Sequence, residues 1–156
     1  MATDRTALLE KLNEILRWEY AGVVQYTQFS FVARGPLREV YHGFFRENGE
    51  EALEHAHKVG DKIVALGGVT TVDRAEVKQS LDLNEMLEYS LEIERKHVEL
   101  YTEVLDLLGP RDVALRNLLE EICGEEQQGV DHLEKILEKR DLIPSVQQPR
   151  SQQKVG

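Results

Sequence analysis

The sequence predicts an all-α fold, a four-helix up-down bundle with one long crossover between helices 2 and 3. Apolar residues recur at alternating spacings of four and three along four long stretches, as they do on the buried face of a helix. Proline occurs only four times in 156 residues, and abundant Leu, Glu and Lys also favour helices. A chain of this length is typical of one domain. We expect the bundle to span residues 1–143 and a polar tail to span 144–156.

Helix 1 is predicted to begin at Thr3 and Asp4, which suit the N-cap position, and to end at the break formed by residues 34–36. Its buried stripe consists of Leu8, Leu12, Ile15, Glu19, Gly22, Tyr26, Phe29 and Ala33. Glu19 therefore interrupts an otherwise largely apolar face.

Helix 2 is predicted to begin at Pro36, because proline suits the first helical position, and to end at Gly67 and Gly68. Its stripe consists of Tyr41, Phe45, Asn48, Ala52, His55, Val59, Lys62 and Leu66. This helix is about 46 Å long at about 1.5 Å per residue, and the extended connection over residues 69–81 reaches about 43 Å. The connection can therefore return along the bundle, which makes helices 2 and 3 parallel.

Helix 3 is predicted to begin with a capping box of Asp82 and Glu85 and to end at Gly109 and Pro110. Its stripe consists of Leu83, Leu87, Ser90, Glu94, His97, Tyr101, Val104 and Leu108. Helix 4 carries Leu115, Leu119, Ile122, Glu126, Gly129, Leu133 and Ile136 and is predicted to end before Pro144. The polar composition from residue 145 onward predicts a mobile tail.

Helices 1 and 3 resemble each other. Residues 12–16 read Leu-Asn-Glu-Ile-Leu and residues 83–87 read Leu-Asn-Glu-Met-Leu. Glu19 precedes Tyr26 by the same separation as Glu94 precedes Tyr101. Two related helical hairpins would bring Glu19 and Glu94 to opposite sides of one central site.

Five polar residues lie near the middle of the four stripes: Glu19, His55, Glu94, His97 and Glu126. A buried carboxylate is heavily penalised unless something compensates its charge. Carboxylate oxygens and imidazole nitrogens are ligands for iron, manganese and zinc, and the cores of helical bundles hold such sites. The alternative is an internal network in which the protonated histidines pair with the glutamates. In both cases we expect the hydroxyls of Tyr26 and Tyr101 to bond to the carboxylates.

The overall charge argues against binding to nucleic acid or to an anionic membrane. The formal net charge is −10, whereas both partners require concentrated Lys and Arg. The sequence has no apolar run of about 18 residues and no signal-peptide pattern, which predicts a cytoplasmic protein. Cys123 is the single cysteine, so an intrachain disulfide and a thiol-rich metal motif are excluded.

Several motifs resemble those of the ferritin-like superfamily, most of all the bacterioferritins, while helix 3 is similar to that of rubrerythrins. The resemblance covers about residues 8–140 and rests on residues 18–26, 54–56, 63–68, 91–94, 125–126 and 131–134. It implies a ferritin-like bundle that binds two irons through one glutamate on each of helices 1 and 3 and a Glu-x-x-His pair on each of helices 2 and 4. The matching residues here are Glu19, His55, Glu94 and Glu126.

Two ligand positions implied by the resemblance carry small residues in this chain. Ala52 stands where the helix 2 glutamate is expected, and Gly129 stands where the helix 4 histidine is expected. His97 lies where rubrerythrins have a second helix 3 glutamate, so Glu94-x-x-His97 is a candidate replacement pair. Glu51 is a further candidate if its side chain turns inward. We therefore expect an altered centre for one or two metal ions, with iron as the implied metal and manganese or zinc as alternatives.

The resemblance implies an iron-binding protein that oxidises Fe(II) with oxygen or peroxide, with Tyr26 bonded to the site as a catalytic group. A second hypothesis is a degenerate bundle with a structural or partner-binding role. A third is a small-molecule oxygenase whose substrate occupies the space left at Ala52 and Gly129. Each of these hypotheses uses the same scaffold.

The resemblance also implies what accompanies the metal site. Bacterioferritins ligate haem through a methionine of helix 2, and because Leu53 stands at that position we predict no haem. We expect a homodimer built on helices 1 and 2, or a larger homo-oligomer. Pro144 and Pro149 discourage the short fifth helix that helps to close a 24-subunit shell.

Overall fold

The computed structural model describes residues 4–138, which form four helices: α1 (Arg5–Val32), α2 (Arg38–Ala65), α3 (Leu83–Leu108) and α4 (Val113–Leu137). These residues include no strand. α1 packs against α2 and α3, and α3 packs against α4. The predicted all-α four-helix bundle is therefore confirmed, while the predicted tail lies outside the described residues. None of the four helices is long and apolar enough to cross a bilayer.

Contacts between the helices give their relative directions. Tyr26 of α1 contacts Glu94 of α3, and the earlier Glu19 contacts the later Tyr101, so α1 and α3 are antiparallel. Gly22 of α1 faces Ala52 of α2, and residue 27 of α1 faces residue 49 of α2, so this pair is antiparallel as well. Helices α2 and α3 therefore run parallel, as the length of the crossover predicts.

The crossover over residues 66–82 lies along α1. The Asn13 amide oxygen accepts a hydrogen bond from the Thr71 N–H at 2.8 Å. Further along, the Gln25 amide oxygen accepts from the Lys78 N–H at 3.0 Å. These side chains satisfy backbone groups that no regular element would pair, and they hold the connection on one path down the bundle.

The starts of α1 and α3 follow from their N-cap residues. The Asp4 carboxylate accepts a hydrogen bond from the Thr6 N–H at 3.0 Å, and the Asp82 carboxylate accepts from the Glu85 N–H at 2.9 Å. Each cap satisfies one of the free N–H groups of a helix start. The return half of the predicted capping box differs, because the Ser80 hydroxyl bonds to both Glu85 and the Asp82 N–H.

The start of α2 differs from its prediction by two residues. The helix begins at Arg38 rather than at Pro36. The preceding residues form a turn in which the Arg38 N–H donates to the Gly35 carbonyl at 3.1 Å, and Gly35 has φ 86°. The positive φ at Gly35 turns the chain, and Pro36 lies within that turn instead of in the first helical position.

A polar layer divides the apolar core into two clusters. The first cluster contains Leu8, Leu12, Ile15, Leu16, Ala56, Val59, Ile63, Leu100, Tyr101, Val104, Leu108, Leu115, Leu119 and Ile122. The second contains Ala21, Tyr26, Phe29, Ala33, Phe45, Met86, Leu87, Leu91, Ile93, Val130 and Leu133. On every helix the candidate metal ligands lie between the two clusters: Glu19, His55, Glu94, His97 and Glu126. The fold thus seals this layer from solvent at both ends.

Candidate metal centre

The structure brings the five predicted ligand side chains together in the polar layer. Glu19 comes from α1, His55 from α2, Glu94 and His97 from α3, and Glu126 from α4, and none is more than 5% exposed. Their donor atoms form two groups, Glu19–His55–Glu126 and Glu94–His97–Glu126, in which all atoms lie within 4.8 Å of one another. Glu126 belongs to both groups.

The spacing of the donor atoms suits a bound cation. His55 Nδ1 lies 2.9 Å and His97 Nδ1 lies 3.2 Å from Glu126 Oε1. Glu19 Oε1 lies 3.6 Å from His55 Nδ1, and Glu19 Oε2 lies 3.9 Å from His97 Nδ1. Two neighbouring ligands with metal bonds of about 2.1 Å are about 3.0–3.4 Å apart. A divalent ion therefore fits between these atoms with small side-chain movements.

Two buried polar atoms at the centre have no hydrogen-bond partner. They are Glu19 Oε2 and His97 Nδ1. The approach of His97 Nδ1 to Glu126 at 3.2 Å does not have the geometry of a hydrogen bond. Leaving a buried polar group unpaired costs about 1–3 kcal/mol. Because the two atoms face each other at 3.9 Å, one cation placed between them would satisfy both.

A backbone carbonyl orients the His97 ring. His97 Nε2 lies 2.9 Å from the Trp18 carbonyl oxygen. A carbonyl oxygen only accepts hydrogen bonds, so the hydrogen is on Nε2. When the ring is neutral, Nδ1 then carries a lone pair that points toward the carboxylates. Histidines that bind metals are commonly oriented in this way through their second nitrogen.

His55 contacts a carboxylate with each ring nitrogen. Nδ1 lies 2.9 Å from Glu126 Oε1, and Nε2 lies 2.6 Å from Oε2 of Glu125, a half-buried side chain. Glu51, which is exposed, joins His55 and Glu125 in a third group of donor atoms within 4.8 Å. Glu51 therefore lies at the outer side of His55, and the structure does not show it turned into the polar layer.

The two tyrosines hold one glutamate each. The Tyr26 hydroxyl donates to Glu94 Oε1 at 2.5 Å, and the Tyr101 hydroxyl donates to Glu19 Oε1 at 2.7 Å. Burial raises the pKa of both phenols well above the ordinary value, so both remain neutral donors. Each hydrogen bond leaves the second carboxylate oxygen available to a cation.

Protons compensate the charges when no cation is bound. Burial opposes a charged ring at His55, yet the carboxylates of Glu126 and Glu19 raise its pKa to about 11. Burial raises the pKa of Glu19 to about 7, against the lowering effect of His97. Burial and the charge of Glu126 raise the pKa of Glu94. At Glu126 burial acts in the same direction, but contacts with His97, Glu94 and His55 outweigh it and hold the pKa of Glu126 well below its ordinary range. The ionised Glu126 thus lies between two charged imidazoles.

Small residues make room for two of the candidate ligand side chains. A Cβ atom on Gly129 would lie 3.2 Å from Glu94 Oε2, and one on Gly22 would lie 3.3 Å from His97 Cε1 and 3.2 Å from Ala52 Cβ. Such distances are shorter than ordinary packing contacts. Glu94 therefore occupies the space beside Gly129, and His97 and Ala52 share the space beside Gly22. This removes the observation that favoured a substrate space at positions 52 and 129.

The contacts that three further residues make with the candidate ligands are not predicted from the sequence. Glu125 lies outside the apolar stripe and appears in the sequence analysis only within the motif of residues 125–126, not as a candidate ligand. Trp18 contributes a backbone carbonyl, which no side-chain pattern marks. Gly22 lies on the stripe as an unremarkable small residue, and only the helix packing shows that it faces His97.

The model of the ferritin-like domain family matches residues 9–143, which is most of the sequence. The chain belongs to the ferritin-like family. The resemblance predicted from the motifs is thereby confirmed. No curated protein matches this ferritin-like chain by sequence.

Solved structures similar to this ferritin-like chain cover nearly the whole bundle. A ferritin-like diiron-carboxylate protein from Bacillus anthracis strain Ames is 30% identical, with a TM-score of 0.83 and coverage of 88% of this chain and 99% of that one. A dodecameric thioferritin, the bacterioferritin-related protein of Bacteroides fragilis, is 25% identical, with a TM-score of 0.80 and 87% coverage of each chain. The bacterioferritin of Rhodobacter capsulatus, solved with a metal-free dinuclear site and haem iron, is 25% identical, with a TM-score of 0.79 and coverage of 89% and 88%.

Proposed function

We propose that this chain binds Fe(II) through Glu19, His55, Glu94, His97 and Glu126 and oxidises it to Fe(III) with oxygen or peroxide. The observation that carries the proposal is a pair of buried atoms without a hydrogen bond, Glu19 Oε2 and His97 Nδ1, which lie 3.9 Å apart. The mixed carboxylate and imidazole donor set is one that iron, manganese and zinc all accept. The naming of a 30% identical structure as a diiron-carboxylate protein supports iron among these.

The protein side chains prepare the centre for the cation. Glu19, Glu94 and Glu126 supply negative charge in a layer that water does not reach, where electrostatic attraction is strong. Tyr26 keeps Glu94 in place by its hydrogen bond, and this is the role that we assign to it in the oxidation. Fe(II) is the electron donor, and the oxidant accepts one electron from each ion. The imidazole protons must leave when the cation binds, because only a neutral ring nitrogen is a ligand.

We also propose that the chain works as a homodimer or larger homo-oligomer in the cytoplasm. Large apolar side chains remain exposed on the first two helices, including Phe31 at 65% and Val40 at 64%. Exposed apolar surface of this kind is typical of protein interfaces. The Bacteroides fragilis relative is dodecameric. No haem is proposed, since Leu53 occupies the position that the resemblance assigns to a haem-ligating methionine.

Anaerobic titration with Fe(II) followed by air tests the function. We expect Fe(II) to bind without oxygen and a ferric absorbance band to develop on oxidation. His57→Ala is the matched control, because it removes an exposed imidazole from the same helix as His55. Glu126→Gln, in contrast, should abolish the ferric band. Failure of the native chain to bind any divalent metal would refute the proposal.

A metal-independent structural role is the second candidate function. The observation that favours it is His55, whose two nitrogens both contact carboxylates and thus compensate charge without a cation. Under this alternative, divalent metals leave the melting temperature unchanged, and His55→Ala lowers stability without a metal-dependent effect. A rise in melting temperature on addition of Fe(II) under anaerobic conditions would exclude it, because a ligand stabilises only the state that binds it.

A further inference from the structure

We propose that a cavity between α1, the crossover and α3 binds a small planar aromatic carboxylate. The ring of this ligand packs beside Trp18, and its carboxylate pairs with the Lys96 ammonium group. Both side chains line the cavity, which has a volume of about 310 Å³. Pockets that bind small molecules typically have volumes of about 300–1,000 Å³. The inference is independent of the proposed function, because none of the residues that line the cavity is a candidate metal ligand.

Two aromatic side chains distinguish this cavity from others of similar volume. Trp18 and Tyr89, both half-buried, line it together with the buried Ile93. Three further cavities, of about 320, 370 and 390 Å³, have no aromatic side chain among the described residues that line them. Aromatic rings pack favourably against one another in stacked or edge-to-face arrangements. A ligand with an aromatic ring therefore has suitable partners here.

Lys96 is the cation that is available to a carboxylate. Its Nζ lies over the Trp18 ring, 5.6 Å from the ring centroid. Its acidic partner is Glu99, which lies one turn further along α3 at 3.4 Å and does not line the cavity. Exposed ion pairs of this kind contribute little to stability. The carboxylate of a ligand can therefore replace Glu99 at little cost.

The other charged side chains of the cavity also favour an anionic ligand. Lys78 and Glu92 neutralise each other, since Lys78 Nζ lies 2.5 Å from Glu92 Oε2. Glu76 is exposed on the crossover. Lys78 Nζ lies over the Tyr89 ring at 5.2 Å from its centroid, so both rings already have a cation on one face, and a cationic ligand would have to displace a lysine. The net charge of −10 matters less, because salt screens charges beyond about 8 Å.

The walls of the cavity are joined before any ligand binds. The Gln25 amide nitrogen donates to the Tyr89 carbonyl of α3 at 3.3 Å, and the Gln25 amide oxygen accepts from the Lys78 N–H of the crossover at 3.0 Å. One side chain of α1 thus holds the other two walls. A pocket that is formed in advance loses less free energy on binding than one that must be ordered.

The cavity lies on the outer side of the polar layer. Trp18 packs against both apolar clusters, and its carbonyl accepts a hydrogen bond from His97 Nε2 at 2.9 Å. A ligand beside Trp18 would therefore lie close to the candidate metal centre. Since carboxylates also bind metal ions, the test uses metal-free protein, so that a cation at the centre does not contribute to the signal.

Fluorescence titration of the full metal-free chain with 4-nitrobenzoate tests the inference. Nitroaromatic rings quench indole fluorescence on contact, and Trp18 is the single tryptophan of the sequence, so the signal reports this site. We expect quenching that saturates. The neutral probe 4-nitrobenzamide has the same shape and should bind about tenfold more weakly, as expected for the loss of a hydrogen bond between charged groups. Quenching that does not saturate, or equal affinities for the two probes, would overturn the inference.

Variants locate the bound carboxylate. Lys96→Gln should weaken 4-nitrobenzoate about tenfold and leave 4-nitrobenzamide unchanged, whereas Tyr89→Leu should weaken both probes. The matched control is Lys58→Gln, because Lys58 of α2 has a similar exposure, 33% against 30% for Lys96, and also pairs with an acid of its own helix. Equal losses for Lys58→Gln and Lys96→Gln would contradict the assignment. Circular dichroism establishes that each variant is folded, and the comparison of the two probes on the native chain needs no variant.

Discussion

Replacement of Tyr101 by phenylalanine is expected to destabilise the metal-free protein by about 2 kcal/mol. The Tyr101 hydroxyl donates to Glu19 Oε1 at 2.7 Å, and both residues are 0% exposed. No water can replace the lost donor, and hydrogen bonds to charged groups contribute roughly 1.5–3 kcal/mol. For a domain of this size, about 1 kcal/mol corresponds to about 2–4 °C. The melting temperature should therefore fall by about 4–8 °C.

The effect of Tyr101→Phe should depend on pH. Since burial raises the pKa of Glu19 to about 7, the carboxylate is mostly ionised at pH 8 and mostly protonated at pH 6. A hydrogen bond to a neutral acid contributes only about 0.5–1.5 kcal/mol, so the loss should be smaller at pH 6.

Thermal unfolding in the presence of a chelator measures both values, and Tyr20→Phe, which alters a half-buried tyrosine of α1, serves as the control. The reasoning would be refuted if Tyr101→Phe cost no more than Tyr20→Phe at pH 8, or if its cost were larger at pH 6 than at pH 8.

Three further predictions address the centre and the fold. Glu126→Gln should lower the affinity for Co(II), a probe divalent cation, by more than about 100-fold, because Glu126 belongs to both buried groups of donor atoms and changes outside a ligand set already cost about 10–100-fold. Calorimetric titration checks this. Cation affinity should fall as the pH falls, by about tenfold per pH unit for each proton released on binding. The reason is that contacts with carboxylates raise the pKa of His55 to about 11 and also raise the pKa of His97, despite burial. Calorimetry in buffers of different ionisation enthalpy counts the released protons, and a count of zero contradicts the reasoning. Asp82→Ala should remove the cap on Glu85 N–H and cost about 1 kcal/mol, with unchanged Co(II) binding; urea unfolding measures the loss.

The burial pattern is the part of the structure that the sequence predicts best. A helix has one period, so a stripe of apolar residues identifies its buried face and draws attention to the polar residues that interrupt the stripe. Glu19 and Glu94 are predicted to be buried for this reason, and both are. The crossover follows from length alone, because a connection of that reach allows α2 and α3 to be parallel.

Contacts between helices are the part that periodicity does not predict. The distance and angle between two helices depend on packing along their whole length, so the approach of Glu94 to Gly129 is visible only in the structure. In the sequence alone, Gly129 stands where the resemblance implies a ligating histidine. In the folded protein, the small size of Gly129 leaves room for the Glu94 carboxylate of α3. The bond from His97 to the Trp18 carbonyl is hidden for the same reason, since every residue carries the same backbone.

The exchange of hydrogen bonds between α1 and α3 has a mechanical consequence. Tyr26 of α1 donates a hydrogen bond to Glu94 of α3. In return, Tyr101 of α3 donates a hydrogen bond to Glu19 of α1. A shift of one helix along the other by a single turn, about 5.4 Å, would break both hydrogen bonds. The carboxyl groups of Glu19 and Glu94 would then lie against apolar side chains without these hydrogen bonds. The two hydrogen bonds therefore favour a single register of α1 against α3, independently of any bound cation.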